Sequence, residues 1–195
     1  PQLKLWTVTG PGRGAGPARG TGMDLACARL EAVGKVGGLI ASTDADSTVA
    51  TDWIARQLDA LAAGAEAVGG DVILDPDGKR ELPSGVIEVR DQRLRERLVN
   101  AALRGPAEHA HFAGASIGIT PRAYRKVGGI RWLAALEDKD LEDRLAASGI
   151  PIHRLKPIRV TTSTRTDGRA EQGLAADLAE ADVEQRKTAD PSRWS

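Results

Sequence analysis

Cysteine is almost absent from this chain. One thiol, Cys27, stands among 195 residues, so no intramolecular disulfide can form. That usage fits a reducing compartment, and a cytoplasmic location is expected. Aromatic residues are also scarce, at 3% of the chain, which leaves Ala, Val, Ile and Leu to build most of the core. Net charge is missing, because 27 basic residues face 27 acidic ones. No global field therefore draws in nucleic acid or an anionic membrane. No run of about 18 apolar residues occurs, which excludes a transmembrane helix, and no signal peptide is visible. No internal repeat is evident. The first residue is Pro1 rather than methionine, and the native start is expected to lie upstream.

What is present is 41% apolar residues, enough for a core and far from a disordered composition. The length suggests one domain, expected over residues 1–187, with a loose tail at 188–195. Leu3–Val8 alternates and reads as a strand. Gly10–Pro17 is a glycine-rich loop, and Ala18–Val33 a helix. Leu39–Thr43 reads as a buried strand. A second helix opens at Asp52, with Thr51 or Asp52 as its cap, and ends near Gly64. Ala67–Leu74 is a strand, Asp75–Gly85 a turn-rich connection and Val89–Leu103 a charged amphipathic helix. Ala115–Ile119 is a strand, Pro121–Val127 a short helix with proline in its first turn, and Leu136–Ser148 a further helix. Ile152–Leu155 and Ile158–Thr162 are short strands, and Ala-rich sequence from Arg169 suggests a last helix. Strands alternating with helices indicate an α/β sheet.

The stretch that organises the chain is Leu39-Ile40-Ala41-Ser42-Thr43-Asp44-Ala45-Asp46-Ser47. An apolar strand there delivers two carboxylates to its carboxyl end, where α/β sheets place ligands. Carboxylates so close repel unless a cation lies between them. Oxygen ligands suit Mg²⁺ or Mn²⁺, which commonly also bind phosphate. The other reading is an Asp/Ser/Thr turn or helix cap. Arg13 and Arg19 flank the glycine loop, and an arginine fork suits a diphosphate. Gly10-x-Gly12-x-x-Ala15 after a strand also matches a loose dinucleotide fingerprint. Its acidic partner, Glu31, falls inside a helix, and a plain surface loop explains the glycines better.

A second carboxylate group, Glu137, Asp138 and Asp140, opens a helix. Consecutive helical residues point about 100° apart, so one or two can face a common site. The remainder complement the helix dipole. With a metal-binding pair elsewhere, the open task is a general base. His109 and His111 alternate and point to one side of an extended segment. Two histidines without a third ligand are a weak zinc signal, and a surface or substrate-side role is expected. His153 and Cys27 read as structural. Trp6, Trp53 and Trp132 read as packing residues, with Trp132 also placed to stack on a sugar.

Taken together, the pieces resemble a family 2 glycosyltransferase of the GT-A fold, from about Val8 to about Gly168. The resemblance rests on Gly14-x-Gly16-x-Ala18-Arg19-x-x-Gly22, Asp44-Ala45-Asp46, and Phe112-x-Gly114-x-Ser116. It extends through Tyr124-Arg125-Lys126-Val127-Gly128-Gly129, then Glu137-Asp138-x-Asp140-Leu141-x-x-Arg144-Leu145-x-x-x-Gly149 and Thr162-Ser163-x-Arg165. It implies a Rossmann-like central mixed sheet flanked by helices. It also implies an inverting, Mg²⁺- or Mn²⁺-dependent transfer from a UDP-, GDP- or dTDP-linked sugar to a hydroxyl acceptor. Asp44 and Asp46 correspond to the DxD motif that holds the metal and the donor. Arg19 corresponds to the arginine that approaches the diphosphate. Gly114 to Ser116 line the sugar and acceptor side. Asp138, beside Glu137, corresponds to the base.

The chain departs from the family at Gly20, where asparagine is usual, and at Thr161-Thr162-Ser163, where a histidine often joins the metal. Arg165 or Arg169 is expected to serve the diphosphate instead. The family's first two strands, which carry the base pocket, have no counterpart. The expectation is an N-terminally incomplete domain, completed by a missing segment or a partner chain and of little activity alone. Two alternatives stand beside this reading. In a haloacid-dehalogenase-like phosphatase, Asp44 would be the nucleophile and Asp46 the acid/base, aided by Lys126 or Lys139. A non-catalytic module would only bind a partner or glycan.

Overall fold

A computed structural model describes residues 4–12, 14–133, 135–164, 178–183 and 185. Its elements run α1 (Ala15–Ala32), β1 (Ile40–Ser42), β2 (Ser47–Val49), α2 (Trp53–Ala62), β3 (Ala67–Leu74), α3 (Pro76–Glu81), α4 (Ser84–Ala102), β4 (Ile117–Ile119), α5 (Pro121–Lys126), α6 (Glu137–Ala147) and β5 (Ile152–Thr162). Residues 178–183 are also helical. The five strands form one mixed sheet in the order β1-β4-β3-β5-β2. β3 and β5 are parallel, and the other pairs are antiparallel. The expected α/β class with a helix-flanked mixed sheet is observed.

That order has a geometric consequence. β1 and β2 are the two ends of the sheet, yet only residues 43–46 join them. Five peptide steps span at most about 18 Å, whereas four interstrand spacings in a flat sheet amount to about 19 Å. The sheet must therefore curl, with the Asp44–Asp46 turn crossing its open side. Hydrogen bonds hold the turn on both flanks. Thr43 Oγ1 donates to the Ala115 carbonyl at 2.8 Å, and Ser47 Oγ donates to Thr162 Oγ1 at 3.1 Å.

Alternation along β3 sends successive side chains to opposite faces, and each face has its own core. Ala67 joins Met23, Cys27, Ile40, Ile117, Ile119, Tyr124, Leu141, Leu145 and Ile152 under α1, α5 and α6. Val68 and Val72 join Trp53, Ala60, Ala115, Ile158 and Val160 under α2. A third cluster, of Leu74, Val86, Leu178 and Ala181, seats α4 and the helical residues 178–183. The few buried aromatic side chains are divided between the faces, Tyr124 and Phe112 on one and Trp53 on the other. Tyr124 is fully buried and donates to Asp24 at 2.9 Å. Trp53 donates its indole N–H to Ser116 Oγ at 2.9 Å.

Several expectations are corrected. Residues 4–8 carry no strand, and Leu5, Trp6 and Val8 are exposed. Alternation there had no partner strand to satisfy its backbone. Trp6 does not pack in the core; the Arg29 guanidinium lies 3.6 Å from its ring centroid. α1 begins three residues before Ala18 and takes in Gly16 and Pro17, which are buried rather than looped. The Asp75–Gly85 connection contains α3, capped by Asp75, whose carboxylate accepts from Gly78 N at 3.0 Å. α4 starts at Ser84, five residues before Val89. The two strands expected between Ile152 and Thr162 are one, interrupted by a register shift opposite Gly70/Asp71.

Candidate functional site

The site is built around Arg19, whose side chain is 7% exposed. It projects from the second turn of α1 and pairs with two carboxylates at once, Asp44 beyond β1 and Glu137 at the start of α6. Gly114 lies against the same guanidinium, where any Cβ would collide with it. Gly16 lets this happen from the other side. A Cβ there would come within 2.8 Å of the Leu133 carbonyl oxygen and 3.3 Å of the Glu137 side chain. The glycines thus bring α1 and the 113–116 loop close enough for one arginine to reach both acids.

Asp138 completes the cluster. Its Oδ2 accepts from Gly114 N at 2.9 Å and its Oδ1 from Lys139 N at 2.8 Å. The carboxylate is fixed by backbone, and each oxygen keeps a lone pair free. Leu136, just ahead, has φ 59° and ψ 29°. This left-handed conformation disfavours side chains, and it opens α6, whose first two residues reach Arg19 and the Gly114 amide. Asp140 points elsewhere. It accepts from Arg144 Nε at 2.8 Å and Arg131 at 3.2 Å, while Arg144 also donates to the Val127 carbonyl. Asp140 and Arg144 therefore tie α6 to the end of α5.

The structure thus brings together Arg19, Asp44, Glu137, Asp138 and Gly114. Ser116 sits beside them but is turned toward Trp53. Asp46 is exposed on the turn, in which Ser47 N donates to the Asp44 carbonyl at 3.1 Å. The turn reading of Asp44–Ser47 holds alongside the role of Asp44 in the cluster. Arg13, Arg165 and Arg169 lie outside the described residues. Trp132 is 63% exposed and leans over Gly20 of α1, which places it at the rim instead of in the core.

Charge makes the cluster receptive to a cation. One guanidinium faces the carboxylates of Asp44 and Glu137, with Asp138 alongside, so carboxylates outnumber positive charges. Oxygen donors at a strand's carboxyl end suit a hard divalent ion, and the side chain of Asp44 is 38% exposed. Among the described residues no three of these carboxylates converge closely enough to hold an ion by themselves, and Arg19 already occupies Asp44 and Glu137, so a hard ion there would take Asp44 by displacing Arg19. The lysines that a phosphatase would use are engaged elsewhere. Lys126 donates to the Ser148 carbonyl at 3.2 Å, and Lys139 to Asp143 at 2.7 Å and Glu142 at 3.3 Å. The dinucleotide fingerprint lacks its strand, because residues 4–9 form none.

A second group went unread in the sequence. Asp71 on β3 joins His109 and His111, with one ligating atom from each lying within 4.8 Å of the others. Asp71 Oδ1 is 3.0 Å from His111 Nδ1. Burial pushes His109 down to about 4, the Asp71 charge only partly opposing it. The Asp71 carboxyl lies below its ordinary range; burial acts to raise it, but the two histidines and Lys156 outweigh that. The H-x-H spacing was visible, but nothing in the sequence marked Asp71, nearly forty positions away, as their partner. No protein-family model matches this chain, and no curated protein sequence matches it. Among the described residues no helix is long and apolar enough to cross a membrane.

Proposed function

We propose that this chain carries the reacting half of a GT-A-like, inverting glycosyltransferase that moves a sugar from a nucleoside-diphosphate donor to a hydroxyl acceptor. The observation that supports it is the joining of Asp44, Arg19, Glu137, Gly114 and Asp138 in one cluster, from four segments far apart in sequence. A resemblance built on short motifs requires that their residues meet; these five do, whereas Asp46 is exposed and Ser116 turns to Trp53.

In this reading Asp138 receives the proton of the acceptor hydroxyl. The acceptor oxygen forms its bond to the anomeric carbon from one face. The bond from that carbon to the diphosphate oxygen breaks on the other, and the diphosphate leaves with the electron pair. The backbone N–H groups of Gly114 and Lys139 hold the Asp138 carboxylate in position before substrate arrives. Asp44 and Asp46 would hold a divalent cation, which supplies charge neutralisation for the leaving diphosphate. Arg19 exchanges Asp44 for the diphosphate, keeping Glu137 as its anchor. Trp132, exposed at the rim, offers a ring face to a sugar.

The test is donor binding. UDP-, GDP- and dTDP-sugars are screened by thermal shift with and without Mn²⁺. A ligand at a hundred times its Kd stabilises the fold by about 2.7 kcal/mol. One nucleotide class should raise Tm only when Mn²⁺ is present, and Asp44→Asn should abolish the rise. Absence of any nucleotide-dependent shift would remove the proposal.

A further inference from the structure

We propose that Asp71, His109 and His111 form a binding site for one divalent transition-metal ion of the zinc or cobalt type, separate from the carboxylates at Asp44. The inference rests on these three side chains and is independent of the sugar-transfer reading. Three protein donors, two nitrogens and one oxygen, make the set found where zinc keeps a position open. Imidazole selects such ions over Mg²⁺.

The local fold converges on this point. β3 and β5 pair regularly up to Gly70↔Leu155, and the register resumes at Asp71↔Arg159. Such irregularities re-aim a side chain, and the residue after this one is Asp71. The 109–112 segment lies directly on the strand. A Cβ at Gly69 would stand 2.8 Å from the His111 carbonyl oxygen. The rings of His109 and His111 are 5.6 Å apart and tilted by 34°.

Hydrogen bonding shows what the group lacks. Val72 N donates to His111 Nδ1 at 3.2 Å, and His111 N donates to His109 Nδ1 at 3.1 Å. A neutral imidazole accepting at Nδ1 carries its proton on Nε2. With Nδ1 protonated instead, His111 donates to Asp71 Oδ1 at 3.0 Å and gives up Val72 N; with Nδ1 bare, two acceptors face each other across that distance. Positive charge between them resolves that. The separation is close to the ligand–ligand edge around an ion with bonds of about 2.0–2.2 Å. The His109 side chain supplies the third donor. It is 6% exposed, and its Nε2 is buried with no hydrogen-bond partner.

Coordination through His109 Nε2 moves the ring proton to Nδ1 and gives up the His111 amide contact, and coordination through His111 Nδ1 gives up the Val72 amide contact, so two hydrogen bonds are exchanged for two coordinate bonds. The nearby cations are accounted for. Glu142 takes the Arg154 guanidinium at 2.7 Å, and the Lys156 charge acts on Asp71, favouring its ionised, ligating form. The side chains of Asp71 and His111 are 27% and 15% exposed, which leaves an entry path. Occupied, the site clips the 109–114 segment to β3, three residues before the Gly114 amide that holds Asp138.

The test is equilibrium dialysis of the full chain against Zn²⁺ or Co²⁺, read by elemental analysis and by the visible absorption of bound Co²⁺. One ion per chain is expected at micromolar concentrations, retained in an Asp44→Asn/Asp46→Asn double variant. Its affinity should fall at least tenfold in His111→Gln and in Asp71→Asn. Should either variant fail to fold, Co²⁺ added to the unaltered chain should broaden the amide resonances of residues 71–72 and 109–112. No bound ion, affinity unchanged in both variants, or broadening confined to residues 44–47 would overturn the proposal.

Discussion

Two buried arginines, Arg19 and Arg154, do opposite things with the same chemistry. Arg154, 1% exposed, belongs to β5 and gives one arm to Glu142 of α6 at 2.7 Å and another to the Ile152 carbonyl at 3.4 Å. Its Nε has no partner, and burial holds its pKa below the usual guanidinium range while Glu142 opposes the shift. The result is an acid shared inside the scaffold, in which Glu142 gives one oxygen to Arg154 and the other to the exposed Lys139 at 3.3 Å, so positive charge is not outnumbered. Arg19 is almost as buried but answers two acids from two elements, and one of them, Asp44, is open to solvent. The difference teaches where to look for chemistry. A buried charge that is not outnumbered is structural, whereas a buried charge outnumbered at an open edge is available for exchange.

The largest effect tests the open cluster. Asp138→Asn keeps the shape and removes the base. Sugar transfer by the longest available form of the protein should fall about 10²- to 10⁴-fold, with Tm little changed because the Asn oxygen can still accept from Gly114 N. The Arg154–Glu142 pair should respond in reverse. Glu142→Ala strands the Arg154 charge and should cost about 3–5 kcal/mol in chemical denaturation. A Glu142→Leu/Arg154→Met double variant should recover most of that, because apolar residues of similar volume replace a buried pair well.

Arg19→Gln tests the exchange itself. Mn²⁺ alone should bind more tightly, since a competitor for Asp44 is gone. The nucleoside diphosphate should bind about tenfold more weakly, having lost a charge-assisted contact. Titration calorimetry reads both, and movement of the two affinities in the same direction would dissolve the contrast with Arg154. The baseline is Arg56→Ala, which breaks an exposed pair with Asp52 at 3.0 Å. It should change stability by less than about 0.5 kcal/mol.

Much of this was legible in the chain. Short apolar runs and the Asp44-Ala45-Asp46 stop located β1, β3 and β4 closely. The proline and glycine punctuation around Tyr124 bounded α5. The Glu137-Asp138 step was legible as a helix start whose acids could not all face one way, and Asp140 duly turns to Arg144. What failed did so for tertiary reasons. Residues 4–8 have the pattern of a strand, but a strand is made by its neighbour. β2 is three residues of Ser, Thr and Val whose only reason to extend is the end of β5 beside them. The pairing of Asp71 with two histidines depends on a register shift that no local pattern announces. The roles of Gly16 and Gly114 depend on an arginine whose path emerges only once α1 packs.

The crossing of residues 43–46 between the two outermost strands makes that turn a mechanical tie. An ion or diphosphate gripping Asp44 and Asp46 draws on Ser42 at one end and Ser47 at the other. Amide exchange should therefore slow in concert at Ile40–Ser42 and Ser47–Val49, strands that share no hydrogen bond and sit at opposite ends of the pairing order. Occupancy of a few atoms is thereby reported across the whole width of the sheet.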